Sequence, residues 1–294
     1  MDDTIGEKTW NEINKKIKSL YPAFVISFLI SFCLDCFFYG GNIFEKFSAS
    51  IGELSLLVGA GFIFDNSMYI GPIWYFSDLL IVILLLFPMM TKYNKIFSTI
   101  IAPTIVIFGY GYLYILFKHL AITVEPLGII CGGILRGLCG VSLGNIMYYL
   151  ARKKVNLTIF GENVLKIVQC LLLIICVYFM NEYSGNYYDF IEILIFAILI
   201  LFAFKFSVYN KRIFDNKIIY VLGEYSAILY VVHYSLIRIP KNVWPKKWES
   251  QYIMWIIMTN VLSIVVFMFN KKILPRIRQQ LMKSFFVEDN GCRN

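Results

Sequence analysis

Charge is scarce in this chain: only 16% of its 294 residues are Asp, Glu, Lys or Arg, where soluble domains carry roughly a quarter. Too little polar surface is available to solvate a fold of this size in water, which excludes a soluble globular domain. Histidine is scarcer still, with His119 and His233 alone. Cys33 and Cys36 form a C-x-x-C, but no second pair and no neighbouring histidine follow, so no metal site is expected. Cys131, Cys139, Cys170 and Cys176 also lie in apolar stretches, where cysteine packs as a small hydrophobe. No low-complexity tract, no Pro/Gly/Ser linker and no period of twenty to fifty residues divides the chain. The first twenty residues, with Asp2, Asp3, Glu7 and Glu12 among lysines, lack the layout of a cleavable signal.

What is present is apolar: 59% of the residues are hydrophobic. A bilayer span needs about 20 largely apolar residues, and windows of that kind lie near 21–39, 72–90, 96–117, 127–150, 163–181, 187–208, 217–238 and 252–270. The fold expected is an all-α, polytopic transmembrane bundle of about eight spans. Residues 48–64 are apolar but broken by Gly52, Glu53, Gly59 and Gly61, which suits a short interfacial or re-entrant piece.

The formal net charge of +8 does not indicate nucleic acid, because the basic residues fall at span ends, where lysine and arginine mark the cytoplasmic side. Lys8, Lys15, Lys16 and Lys18 precede the first span; Lys92 and Lys95, Arg152 to Lys154, Lys205 to Lys217, and Lys271 to Arg278 fall on the same side. Both termini are thereby expected in the cytoplasm. Residues 1–20 form a basic cytoplasmic segment, 21–270 the bundle and 271–294 a cytoplasmic tail, in one membrane domain over 1–294. One connection dissents: Arg238, Lys241, Lys246 and Lys247 lie on the outer side with Trp244 and Trp248, a mixture suited to an interfacial anchor or to an anionic glycan or lipid headgroup.

Ionisable residues within spans are costly and face a cavity or a partner. Arg136 lies about nine residues into the fourth expected span, roughly 13 Å deep at 1.5 Å per residue, on a face repeating Gly132, Arg136, Gly140 and Gly144. Two readings stand: a planar fork that reaches a phosphate or carboxylate of a ligand, or an ion pair with Asp35, Asp78 or Glu224. In the seventh span Gly223, Ser226, Tyr230 and His233 share one helical face, and imidazole is the side chain suited to proton transfer near neutral pH. The second span opens on Trp74 and Tyr75, with Ser77 and Asp78 placed to bond a substrate hydroxyl.

Four segments taken in order resemble the membrane acyltransferase 3 family. These are Lys15-Lys16-Ile17-Lys18-Ser19-Leu20-Tyr21-Pro22, Ile73-Trp74-Tyr75-Phe76-Ser77, Ile134-Leu135-Arg136-Gly137-Leu138-Cys139-Gly140, and Leu222-Gly223-Glu224-Tyr225-Ser226 with Leu229-Tyr230-Val231-Val232-His233. The resemblance implies a multi-pass plasma-membrane enzyme among membrane lipids. Such an enzyme moves an acyl group, often acetyl, from cytoplasmic acyl-CoA to a hydroxyl of an extracytoplasmic glycan acceptor or similar surface molecule. It further implies Lys15, Lys16, Lys18 and Arg136 on acyl-CoA, Trp74, Tyr75, Asp78, Ser226 and Tyr230 on the substrate, and His233 as the catalytic candidate. The family's first segment, two spans carrying a basic residue, ten intervening residues and a histidine taken as catalytic base, has no counterpart here. The expectation is that the reading frame upstream of Met1 encodes it. Two other readings are a glycan or lipid-precursor transporter or flippase, and a non-catalytic remnant or partner subunit.

Overall fold

The computed structural model describes residues 3–62, 68–152, 159–183, 185–205, 216–243 and 247–276. The basic residues Lys153, Lys154, Lys211, Arg212, Lys246 and Arg278, and Trp244, lie outside them. The described chain is almost wholly α-helical. Helix α1 runs Asp3–Tyr39; α2 (Ile43–Ala49), α3 (Ile51–Leu54) and a 3-10 turn (Val58–Ala60) are short pieces; then come α4 (Ile73–Lys92) and α5 (Asn94–Phe117). A β-hairpin pairs Pro126–Leu127 with Ile130–Cys131 ahead of α6 (Gly132–Ala151), followed by α7 (Ile159–Glu182), α8 (Tyr188–Lys205), α9 (Lys217–Val232) and α10 (Arg238–Val243). Helix α11 is Trp248–Arg276.

Among the described residues six of these helices, α1, α4, α5, α6, α7 and α11, are long and apolar enough to cross a membrane. The fold is an all-α polytopic bundle. Helix α8 has 18 residues but carries Asp189, Glu192 and Lys205, and α9 has only 16 residues. Side chains such as Ile107 (68% exposed) and Phe108 (74%) point outward, an arrangement that lipid tolerates and water does not.

The contacts divide the chain into two compact units. The first comprises Met1–Asn14, Ser55–Phe62 and Trp74–Asn216. There Val82 and Leu86 of α4 pack with Phe97 and Ala102 of α5 and Ile134 of α6, and Cys176 of α7 packs with Ile195 and Leu199 of α8. The second comprises Lys15–Leu54, Ile63–Ile73 and Lys217–Asn294. Its core joins Ala23 of α1, Ile228 and Val232 of α9, and Val266 of α11.

Three boundaries differ from those read from apolar windows, each for a local reason. Residues 127–131 belong to the hairpin, whose turn uses Gly128 at φ +68, so α6 begins at Gly132 and Arg136 lies four residues into it rather than nine. Helix α9 stops at Val232 and turns follow to α10. Residues 3–20 continue helically into the first span, with Pro22 accommodated inside α1. Over residues 48–62 the chain forms short, interrupted helical pieces.

Candidate functional site

In the first unit, α4 and α6 bring four of the singled-out residues to one place. Trp74, Tyr75, Asp78 and Arg136 line a cavity of about 300 Å³, with Tyr110 of α5 and Ile193 of α8 completing its wall. The helix starts set this geometry. The N–H of Gly132 donates to Glu125 O (2.8 Å) and that of Gly133 to Thr123 O (2.7 Å), so the first donors of α6 are satisfied by the loop ahead of the hairpin. Beside it, Ser77 donates to Leu56 O (2.6 Å) and accepts from Gly59 N (2.9 Å), pinning the 3-10 turn to α4. Leu56 takes φ +58 to present that carbonyl. Ser77 thereby has a place in the scaffold, with its one donor used and one lone pair still open.

Asp78 is 2% exposed, and neither carboxylate oxygen has a hydrogen-bond partner. Its slot exists because two residues lack a Cβ: one added at Gly59 would overlap Oδ1, and one at Gly133 would overlap Oδ2. Arg136 forms no ion pair with it. The guanidinium lies over the Trp74 ring at 5.7 Å from the centroid, and its NH1 makes one long bond, 3.4 Å, to Ile122 O. The other acids considered as partners are occupied: Asp35 by Lys46 and Arg238, and Glu224 by Lys271. Arg136 thus has a fork aimed at a cavity, a planar donor array suited to a carbonyl, carboxylate or phosphate oxygen. Unpaired buried carboxylates are rare in native folds and call for an explanation by function or ligand.

The remaining singled-out residues lie in the second unit. Ser226 is exposed and its hydroxyl donates back to Gly223 O (2.8 Å). Tyr230 donates to Pro72 O (3.0 Å). His233 lies one residue past α9, its Nδ1 2.6 Å from Tyr230 O and its ring at an edge to Trp255. Lys15, Lys16 and Lys18 are exposed on α1. Lys18 lines a larger cavity, about 690 Å³, with Tyr220, Glu224, Phe267, Asn270 and Lys271.

The same unit holds a polar lattice that sequence reasoning missed. Glu53, 3% exposed, accepts from Tyr69 N (2.8 Å) and Ile70 N (2.7 Å). Burial raises its pKa to about 6, against the lowering pull of those two bonds and of Arg238. Arg238 bonds Asp35 at 3.2 Å and Ser31 Oγ at 2.6 Å, and Ser31 donates to Tyr69 O at 2.9 Å. Arg238, one of the four cations that broke the lysine alternation, has a structural role here: it pairs Asp35. The signal available in the sequence was a lone acid, Glu53, within a glycine-broken apolar piece.

The acyltransferase domain family (acyltransferase 3) matches residues 6–269 of the chain. The chain belongs to this family. No curated protein and no solved structure matches it. With its apolar helices, the acyltransferase 3 chain is a membrane protein, and its family activity is acyl transfer. Its motif residues divide between the units: Trp74 and Arg136 in the first, and Lys18, Ser226 and His233 in the second.

Proposed function

We propose that this chain is an O-acyltransferase that passes an acyl group, acetyl in the simplest case, from cytoplasmic acyl-CoA to a hydroxyl of an extracytoplasmic glycan at the plasma membrane. The observation that carries the reading is the cavity at Asp78. An unpartnered carboxylate, an arginine fork and a tryptophan face one space of about 300 Å³, a volume at the lower end of small-ligand pockets. A sugar ring stacks on the indole, its hydroxyl donates to Asp78, and Arg136 faces the carbonyl oxygen of the incoming acyl group. Positive donors aimed where charge develops are the largest common contribution to acyl-transfer catalysis.

The residues of the second unit suit the donor. Lys18 stands at a cavity walled by Tyr220, Phe267 and Leu274, which offers a cation for phosphate and an apolar wall for the pantetheine chain; Lys15 and Lys16 add positive charge within the same stretch of α1. By the lysine alternation this end of α1 faces the cytoplasm, and the starts of α4 and α6, with Asp78 and Arg136, face outward.

Purified chain incubated with radiolabelled acetyl-CoA and a mixture of glucosyl and N-acetylglucosaminyl oligosaccharides tests the reading. Label is expected in a base-labile ester on the sugar, and acetyl-CoA binding is expected to weaken when Lys15, Lys16 and Lys18 are together changed to Ala. Absence of ester and of CoA release by the wild type ends the proposal.

A further inference from the structure

We infer that the cleft between α10 and the Trp248 end of α11 is a binding site for the headgroup of an anionic phospholipid, a site that stands apart from the acyl-transfer reading. The cleft has a volume of about 550 Å³ and is lined by Ile237, Pro240, Lys241, Trp248, Tyr252 and Trp255, all of the second unit. No acid is among its described lining residues, and Lys241, which is exposed, forms no ion pair among the described residues. A cation without a counter-ion, set over aromatic and aliphatic walls, is complementary to a phosphodiester with an apolar body attached.

Both helices are oriented to build the cleft. Arg238 and Asn242 of α10, four residues apart, are spent on α1: Arg238 bonds Asp35 and Ser31, and Asn242 Nδ2 donates to Tyr39 Oη at 3.1 Å. Lys241 stands on the adjoining face and, with Ile237 just ahead of the helix, looks into the cleft. On α11, Trp248, Tyr252 and Trp255 fall at i, i+4 and i+7, one helical face. The Trp255 indole N–H donates to His233 O at 2.8 Å and its ring lies 5.7 Å from that of Tyr252, which fixes the inner wall; Trp248 is 74% exposed at the mouth. An aromatic belt that only anchors a span works with rings on any side of the helix, whereas here three rings converge on one cation.

The level of the cleft in the membrane selects a lipid. Helix α11 has 29 residues, with Lys271 and Lys272 toward its far end. Counting back from them the roughly 20 residues that cross the hydrocarbon core puts the opposite boundary near Gln251. Trp248 and Lys241 then lie among the headgroups, in the outer leaflet by the lysine alternation, and Trp255 at the edge of the hydrocarbon. Below them Ile253, Ile256 and Ile257 of α11 are exposed, so acyl chains follow the helix downward while the phosphate stays with Lys241.

Native mass spectrometry of the full chain in mild detergent, mixed with equal amounts of phosphatidylglycerol and phosphatidylcholine, tests the site. Phosphatidylglycerol is expected to be retained in preference. Lys241→Gln, a change at an exposed position that leaves the fold intact, is expected to lose one retained phosphatidylglycerol per chain, its occupancy falling about fivefold, what one lysine near an anionic surface supplies. Lys241→Arg is expected to keep that lipid, and Lys247→Gln, exposed but outside the cleft lining, to leave its occupancy within about twofold. Equal retention of the two lipids, a Lys241→Gln chain that holds as much phosphatidylglycerol as the wild type, or equal losses at Lys241 and Lys247 overturns the site. Excess inorganic phosphate or glucuronic acid in the mixture is expected to leave the lipid bound. Displacement by phosphate would give the cleft to a free anion and displacement by glucuronic acid to a glycan, and either overturns the lipid assignment. Ester formation is not among the readouts, so no result here bears on the acyl-transfer reading.

Discussion

Two buried acids mark the difference between the halves of this molecule. Glu53 and Asp78 are almost equally hidden, at 3% and 2% exposure, yet their surroundings are opposite. Glu53 sits in a lattice where each oxygen meets a backbone donor and Arg238 stands near. Asp78 sits between two glycines with no donor at all, on the wall of a cavity. A buried polar group that is fully bonded contributes to order in the fold, whereas one left unbonded costs stability and persists where something else uses it. Burial alone does not separate structure from function; the tally of partners does.

The sharpest way to break this comparison is to remove the cation on each side. Arg136→Ala is expected to lower ester formation by about 100- to 1,000-fold, the range for losing one oxyanion donor, while the melting temperature changes little, since the side chain's single hydrogen bond is 3.4 Å long. Arg238→Ala is expected to do the reverse, because it strips Asp35 and Ser31 of a donor at once. Steady-state kinetics beside thermal unfolding in one detergent decide it; a stability loss at Arg136 equal to that at Arg238 would erase the distinction.

Next in size is Glu53 itself. Truncation by Glu53→Ala leaves the N–H groups of Tyr69 and Ile70 without their acceptors, and each unsatisfied buried donor costs about 1–3 kcal/mol. The expected destabilisation is about 2–4 kcal/mol by chemical unfolding, with transfer by the folded fraction unchanged. A cost below about 0.5 kcal/mol would remove Glu53 from the structural side.

The pH dependence of Glu53 gives a smaller and signed effect. Its pKa rises from 4.5 to about 6 on folding because burial disfavours the anion, so between those values the folded state holds more protons than the unfolded one. Its contribution to stability is therefore full below about 4.5 and is lost as pH rises through 6. Protonation turns one oxygen into a hydroxyl that retains a lone pair to accept, so both backbone N–H groups of Tyr69 and Ile70 keep an acceptor. The melting temperature of the wild type relative to Glu53→Gln is expected to increase as pH falls from 6.5 to 4.5; a flat or declining difference would mean that the carboxyl is ionised throughout.

The sequence made the helices legible, and the placing of Trp74 and Asp78 on one span, because apolar windows and intramembrane charges are local signals. Arg136 was legible as a residue in need of a partner, but not the partner's absence: whether Asp78 lies 4 Å away or farther depends on how α4 and α6 pack. The hairpin at 126–131 was invisible because Ile129, Ile130 and Cys131 read as the start of a span, although Gly128 was available as a turn residue. Glu53 escaped notice because its role depends on Tyr69 and Ile70, sixteen and seventeen residues away, a separation that no periodicity reports. Ser77 shows the converse: its identity suggested a substrate contact, and its scaffold bonds to Leu56 and Gly59 depend on residues about twenty positions away.

The smallest expected effect belongs to the residue that chemistry alone would have favoured. His233 has an imidazole suited to proton transfer, but its Nδ1 is held against Tyr230 O at 2.6 Å and its ring rests edge-on against Trp255 at 6.1 Å between centroids. Among the described residues no acidic side chain bonds the ring; its polar contact is a backbone carbonyl. The residue also anchors its neighbour through the backbone, since Trp255 Nε1 donates to His233 O at 2.8 Å, a bond that survives substitution. His233→Ala therefore removes one half-exposed hydrogen bond and one ring contact, for an expected loss of about 1 kcal/mol, with ester formation within about threefold of wild type. Steady-state transfer by the variant beside the wild type decides it; a loss of about 100-fold or more would make His233 the proton acceptor.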